Sequence, residues 1–255
     1  MTAPLKIWFE AEGRLLRLRL SRPKANLIDA EMIAALDGAL IEHLGNANLG
    51  AILLDAEGPH FSFGASVEEH LPDRCAAMLR AIHGLILRLV ESPVAVLVAV
   101  RGQCLGGGLE LAMAGHLMFL APDVVLGQPE MKLGVFAPAA SCLMPELIGP
   151  AHALDLLISG RSIPAAEAAA IGLAAQVAPD PERAALDYFN AHLAPKSASS
   201  LRLSVRAARG DLAARIRSKI AAVEKLYLDQ LMTTRDAIEG LQAFIAKRPA
   251  KWEHR

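Results

Sequence analysis

Along the first hundred residues the apolar positions change period repeatedly, and each change marks an element. Residues 14–20 (RLLRLRL) alternate polar and apolar, the pattern of a strand with one buried face. Asp29 is placed to cap a helix running to about residue 43, and Gly45 is placed to end it. Residues 51–54 read as a short buried strand. From 74 to 91 the apolar residues Cys75, Met78, Ile82, Leu85 and Leu89 keep the three-and-four spacing of an amphipathic helix, which Ser92-Pro93 stops. Residues 94–100 (VAVLVAV) follow as a strand buried on both faces. Strands alternating with helices predict an α/β fold.

Beyond about residue 138 the pattern turns helical. Segments 150–159, 164–171 and 181–193 read as helices, with one strand-like piece near 174–177. From 197 onward the chain is helical throughout, and Leu212, Ile216, Ile220, Val223, Tyr227 and Leu231 form one long stripe. Such a stripe must be covered by the core or by another subunit. The expected organisation is an α/β core over residues 1–196 and a C-terminal helical region over 197–255.

Composition narrows the class. The 255 residues are 53% hydrophobic and carry 26 basic against 27 acidic side chains, so a packed domain is expected rather than disorder. That near-neutral balance speaks against nucleic acid as the main partner, which calls for a basic excess. No apolar run approaches the ~20 residues of a membrane span, and the N-terminus does not read as a signal peptide. Cys75, Cys104 and Cys142 are widely spaced and odd in number, as expected of reduced, buried thiols in a cytoplasmic protein without a zinc site.

Three stretches carry chemistry: FSFGAS at 61–66, the triple glycine in RGQCLGGGLE at 101–110, and GQPE at 127–130. Glycines between a strand and a helix permit close approach of the backbone to a ligand. The first helical N–H groups there can hold an anion or a developing oxyanion. The spacing fits neither a phosphate loop nor a dinucleotide fingerprint. Glu110 lies one turn inside that helix in an apolar run, and Glu130 ends another apolar stretch. Two carboxylates beside an oxyanion-holding helix end can manage both protons of an addition or elimination. His60 and His70 have no metal partner at suitable spacing and read as loop residues; Cys104 has no basic neighbour and reads as packing.

These motifs, with RPKAN at 22–26, GRSI at 160–163 and KRP at 247–249, resemble the enoyl-CoA hydratase (crotonase) superfamily over essentially the whole chain. The resemblance implies a crotonase-like spiral of ββα units with a C-terminal helical extension acting in trimerisation or as a lid. It implies an acyl-CoA thioester substrate, no metal or organic cofactor, and a homotrimer or dimer of trimers. Ala65 and Gly107 match the family's oxyanion hole; Glu110 and Glu130 match its acid/base pair. Lys24, Ala25, Phe244 and Lys247 match its coenzyme A contacts. Most of the basic residues between Arg202 and Lys219 are expected on a solvated face.

Within the superfamily the chain is most similar to hydratases of cyclohexa-1,5-diene-1-carbonyl-CoA in anaerobic benzoyl-CoA degradation. Ser66 replaces the usual acidic residue after Gly-Ala, and Ala137-Pro138-Ala139-Ala140-Ser141 replaces a Pro-Gly-x-Gly-Gly segment. Methyl-bearing residues there, preceded by Phe136, imply a more apolar acyl pocket suited to a ring, with Phe63 and Ser66 also against the substrate. The implied reaction is 1,4-addition of water giving 6-hydroxycyclohex-1-ene-1-carbonyl-CoA. An ordinary 2-enoyl-CoA hydratase or isomerase is the enzymatic alternative. A catalytically silent thioester binder or an RNA-binding member of the fold is the other.

Overall fold

The computed structural model describes residues 3–255. The chain opens with a hairpin, β1 (Leu5–Glu10) and β2 (Leu15–Leu20), followed by α1 (Ala30–His43), β3 (Ala51–Ala56), α2 (Cys75–Val90) and β4 (Ala95–Val100). The Asp29 side chain accepts from the Met32 amide, so the predicted cap forms. Short β5 (Gln103–Leu105) leads into α3 (Gly107–Ala114), then β6 (Leu117–Leu120) and β7 (Val125–Gly127). α4 (Pro138–Ile148) and α5 (Pro150–Ser159) precede β8 (Ser162–Pro164), α6 (Ala165–Ala170), β9 (Gln176–Val177) and α7 (Pro181–Tyr188). α8 (Ala198–Asp229) and α9 (Arg235–Ile245) complete the chain.

Two sheets result. The larger runs β1-β2-β3-β4-β6-β9, parallel apart from the opening hairpin; the smaller runs β5-β7-β8. Each ββα step therefore delivers its connecting loop to the same edge. One face of the large sheet, with Leu16, Leu18, Ile52, Leu54, Val96 and Val98, joins the main core under α1, α2 and α3. Leu15, Leu53, Leu97 and Phe119 on the opposite face pack under Ala185 and Phe189 of the α7 region.

This second layer corrects the expectation of a half-buried β2. Arg17 is 2% exposed. It bonds Glu10, Asp55 and Glu182, while Arg19 pairs with Asp55 and Glu182. Alternating arginines look solvent-facing in sequence, yet α7 brings Glu182 over them, and Arg17 is buried and Arg19 half-buried in ion pairs.

The α8 stripe is covered by this chain's own core: Ile216, Ile220 and Tyr227 are buried, and α8 packs on α4 and α2. Its basic residues are largely tied down, Arg215 and Lys219 to Glu146 and Arg217 to Glu91. No helix among the described residues is long and apolar enough to cross a membrane.

Candidate active site

The three motif stretches lie side by side because strand pairing stitches them. Ser62 bridges Cys104, and Leu105 pairs with Gly127. The Gly106 amide donates to the Gly127 carbonyl at 2.9 Å. Loops after β3, β4 and β7 thus converge on one edge, where α3 begins.

Close approach explains the glycines. A Cβ at Gly107 would lie 3.2 Å from both the amide nitrogen and the Cβ of Ala65. A Cβ at Gly108 would lie 2.5 Å from the Cβ of Ser62. Gly106 has φ +51°, a conformation that disfavours any side chain. The amides of Ala65 and Gly107 make no hydrogen bond within the chain among the described residues. Ser62 sets the first of them: its buried Oγ donates to the Asn26 carbonyl at 2.7 Å and accepts from the Gly64 amide at 3.0 Å. Two free N–H groups, fixed by backbone geometry, are what a thioester oxyanion requires.

A cavity of about 700 Å³ opens in front of them. Glu110 and Glu130 both line it, with Met78, Leu79 and Ile82 of α2 and Leu241 and Phe244 of α9. Glu110 is 4% exposed, and its Oε1 accepts the Ala140 amide at 2.8 Å from the first turn of α4. Burial pushes its carboxyl up, while the Ala140 N–H, the charge of His83 and the Ala139 N–H oppose that rise. Glu130 is pushed up to about 8, by burial first and by the Glu110 charge second. Buried Gln128 faces Glu130 with its amide nitrogen assigned to that side, 3.1 Å from each carboxylate oxygen. A primary amide can donate to the ionised acid or accept from the protonated one. Two carboxylates in one apolar site do not ionise together easily, so such a pair is able to offer one acid and one base.

Of the other residues singled out in the sequence, Phe63, Ser66 and Phe244 line the cavity. Phe63 and Phe244 are 42% and 56% exposed. Phe63 stacks edge-on with His60, and its amide donates to the Ala25 carbonyl at 2.9 Å. Lys24 and Lys247 are exposed and lie outside the lining. So does Phe136, whose ring packs on Tyr227 with centroids 5.1 Å apart. Gly134 turns the chain in a left-handed conformation, after which Val135 and Pro138 form the wall. His60 accepts the Gln103 amide, His70 faces the Ser66 carbonyl, and the three thiols are free and buried. No cluster of potential metal ligands occurs among the described residues.

Sequence reasoning passed over His83 and Gln128. His83 falls on the apolar face of α2 and resembles a packing residue, and its partner Glu224 is 141 positions away.

The chain belongs to the enoyl-CoA hydratase/isomerase family, whose model matches residues 10–255. It is 62% identical over 254 residues to the cyclohexa-1,5-dienecarbonyl-CoA hydratase of Thauera aromatica, covering 100% of this chain and 98% of that protein. It is 32% identical to a probable enoyl-CoA hydratase of Rhizobium meliloti strain 1021, covering 96% and 97% of the two chains. The crystal structure of an enoyl-CoA hydratase/isomerase from Pseudoalteromonas atlantica superposes with a TM-score of 0.84 at 25% identity. That match covers 98% of this chain and 99% of the other. The crotonase-like architecture is therefore the fold of this protein.

Proposed function

We propose that the protein is a hydro-lyase that adds water to cyclohexa-1,5-diene-1-carbonyl-CoA. The observation that carries this reading is the placement of two glutamates, buried Glu110 and half-buried Glu130, against one cavity beside the unpaired Ala65 and Gly107 amides. The 62% identity to a hydratase of this substrate supports the ring as substrate.

The thioester carbonyl accepts from Ala65 and Gly107. Glu110, supplied with N–H groups from α4, is the base; Glu130, held protonated, is the acid. Glu110 takes a proton from water as its oxygen bonds to C2, and the electron pair of C1=C2 moves into the thioester. The resulting dienolate is held by the two amides and spreads to C5 through C5=C6. Glu130 protonates C5, leaving C1=C6, and the proton on Glu110 returns to Glu130. Renumbered, the product is 6-hydroxycyclohex-1-ene-1-carbonyl-CoA. Each proton-transfer group is expected to supply about 10² to 10⁴ in rate. The chemistry draws on no metal or organic cofactor, coenzyme A being part of the substrate.

Lys24, Ala25, Phe244 and Lys247 are proposed to hold the coenzyme A end, which requires cationic and stacking groups at the mouth of the cavity. The exposed Leu154 and Ile158 of α5 support burial against further copies in a homotrimer or dimer of trimers. Three free buried thiols support a reducing, cytoplasmic location.

Side-by-side hydration of the cyclic dienoyl-CoA and crotonyl-CoA tests the reading, with products followed by chromatography and mass. Preference for the ring is expected. Preference for crotonyl-CoA would leave an ordinary 2-enoyl-CoA hydratase, and a shifted double bond without water uptake would leave an isomerase. Glu110→Gln and Glu130→Gln should each abolish turnover and keep thioester binding. Full activity in both would reject the mechanism.

A further inference from the structure

Of the ionisable side chains that line the cavity and have no part in the steps above, Glu68, His70, His83 and Lys132, one is buried. His83 is 3% exposed. Its Nδ1 lies 2.6 Å from Oε2 of Glu224 on α8. Its Nε2 is buried and has no hydrogen-bond partner among the described residues. A buried polar atom left unmatched costs about 1–3 kcal/mol, a cost that an apolar residue on the same face of α2 would avoid. The Glu224 carboxylate can only accept, so in the neutral ring the proton sits on Nδ1 and Nε2 is left as the acceptor. Carboxylate, imidazole and a free ring nitrogen in series are the arrangement of an oriented base.

The reaction gives such a group a task. In a 1,2-addition the acid delivers its proton to the carbon adjoining the one that receives water, so it stands beside that water. In the 1,4-addition proposed here the two carbons, C2 and C5, face each other across the ring. The acid must reach the far carbon and leaves one hydrogen of the water without a partner. Water attacks productively only when both hydrogens are held and a lone pair is aimed at carbon.

We propose that His83, oriented by Glu224, is a third catalytic residue, whose Nε2 accepts the hydrogen of the attacking water that Glu110 does not take. The hydrogen stays on the oxygen throughout and becomes that of the product hydroxyl, so no additional proton is moved. His83 and Glu110 line the same cavity, which places both groups where one water could meet them. Around α2, α3 supplies Glu110 and α8 supplies Glu224 and Tyr227; the 3₁₀ turn Val67–His70 supplies Glu68, Glu69 and His70. Cys75 lies on α2 itself, while Asp37 of α1 pairs with Arg88 and Arg217 of α8 pairs with Glu91. The Tyr227 hydroxyl is also buried and unpartnered among the described residues.

The proposal rests on the hydratase reading, and two conservative variants separate it from a packing role. His83→Gln places an amide where Nε2 was, whereas His83→Asn places one where Nδ1 was. Expected are kcat within about fivefold of wild type for His83→Gln and a loss of about 10² for His83→Asn, with KM changed less than about twofold in both. Wild-type kcat in His83→Asn, or equal losses in the two, would overturn it. Should either fail to fold, Glu224→Gln still accepts the Nδ1 proton and should keep kcat within about fivefold, while Glu224→Leu frees the ring and should lower it about tenfold or more. A Glu224→Leu enzyme as fast as wild type overturns the proposal too. A readout without substrate keeps the two readings apart. ¹⁵N-histidine spectra should show the His83 ring, assigned by its absence in His83→Gln, protonated on Nδ1 and shifted in Glu110→Gln. A proton on Nε2 at neutral pH, or no response to Glu110→Gln, rejects the role of His83 whatever the turnover. A wild-type enzyme that leaves the dienoyl thioester unchanged rejects the hydratase reading instead.

Discussion

The Glu130 carboxylate lies directly over Gly106, so that a Cβ on that glycine would fall 2.7 Å from Oε1. The proposed acid and the proposed oxyanion hole thus meet at a residue that has no side chain. Gly106→Ala meets both that clash and a φ of +51°. Strain of this kind costs on the order of 1–3 kcal/mol. The variant should melt earlier and lose kcat more than it raises KM, because Glu130 and the neighbouring Gly107 amide both move. Unchanged steady-state kinetics would show that Glu130 can be displaced at no cost.

The pH dependence follows from Glu130, whose carboxyl is pushed to about 8 by burial and by the Glu110 charge. In its proposed role as the acid it must be protonated, so kcat should fall as pH rises through about 8. The same shift fixes the sign for stability. Between the ordinary value of 4.5 and about 8 the folded chain keeps a proton that the unfolded chain releases. Stability therefore falls with rising pH across that window. Glu130→Gln lacks the proton-linked loss, so its melting temperature should exceed that of wild type at pH 8.5 and converge with it near pH 5. Melting curves in matched buffers check both ends.

Ser62 has no contact with substrate in this scheme, yet its Oγ ties Asn26 to Gly64 and so places the Ala65 amide. Ser62→Ala should cost about 1–3 kcal/mol of stability, since it leaves a buried donor and acceptor unmatched. It should also lower kcat, approaching the 10² loss typical of a missing oxyanion-hole donor. Thermal denaturation and steady-state kinetics on one preparation give both quantities.

Arg17 offers a control remote from the chemistry. It is 2% exposed and bonded to three carboxylates, so removing it strands charge under α7. Arg17→Ala should destabilise by about 3–5 kcal/mol, while folded enzyme keeps its kcat. A large fall in kcat at full folding would connect this network to the site.

Arg17 also marks where the sequence misleads. The periodicity of residues 14–20 reads correctly as a strand, but the arginine face reads as solvent because its cover, Glu182, comes from a helix 165 positions later. Elements built on local pattern were legible: the Asp29 cap, the α2 stripe and the β4 run all form where the spacing places them. The glutamates and the glycines were legible as well, since a carboxylate in an apolar run and a side chain missing at a strand–helix joint are both conspicuous. The direction of a side chain in irregular backbone was not. Phe136 turns towards Tyr227 because Gly134 reverses the chain just before it, which no spacing rule reveals. His83 stayed hidden for another reason: its meaning depends on Glu224 and on an unpaired nitrogen, both properties of tertiary structure.

The Ala140 amide reaches Glu110 from the first turn of α4, within residues 137–141. Pro138, at the start of that turn, also walls the cavity. The stretch of chain that shapes the space for the ring therefore also supplies the N–H group that opposes the rise burial imposes on the Glu110 carboxyl. Chimaeras that transplant residues 137–141 between relatives to alter substrate preference would detune the base in the same stroke.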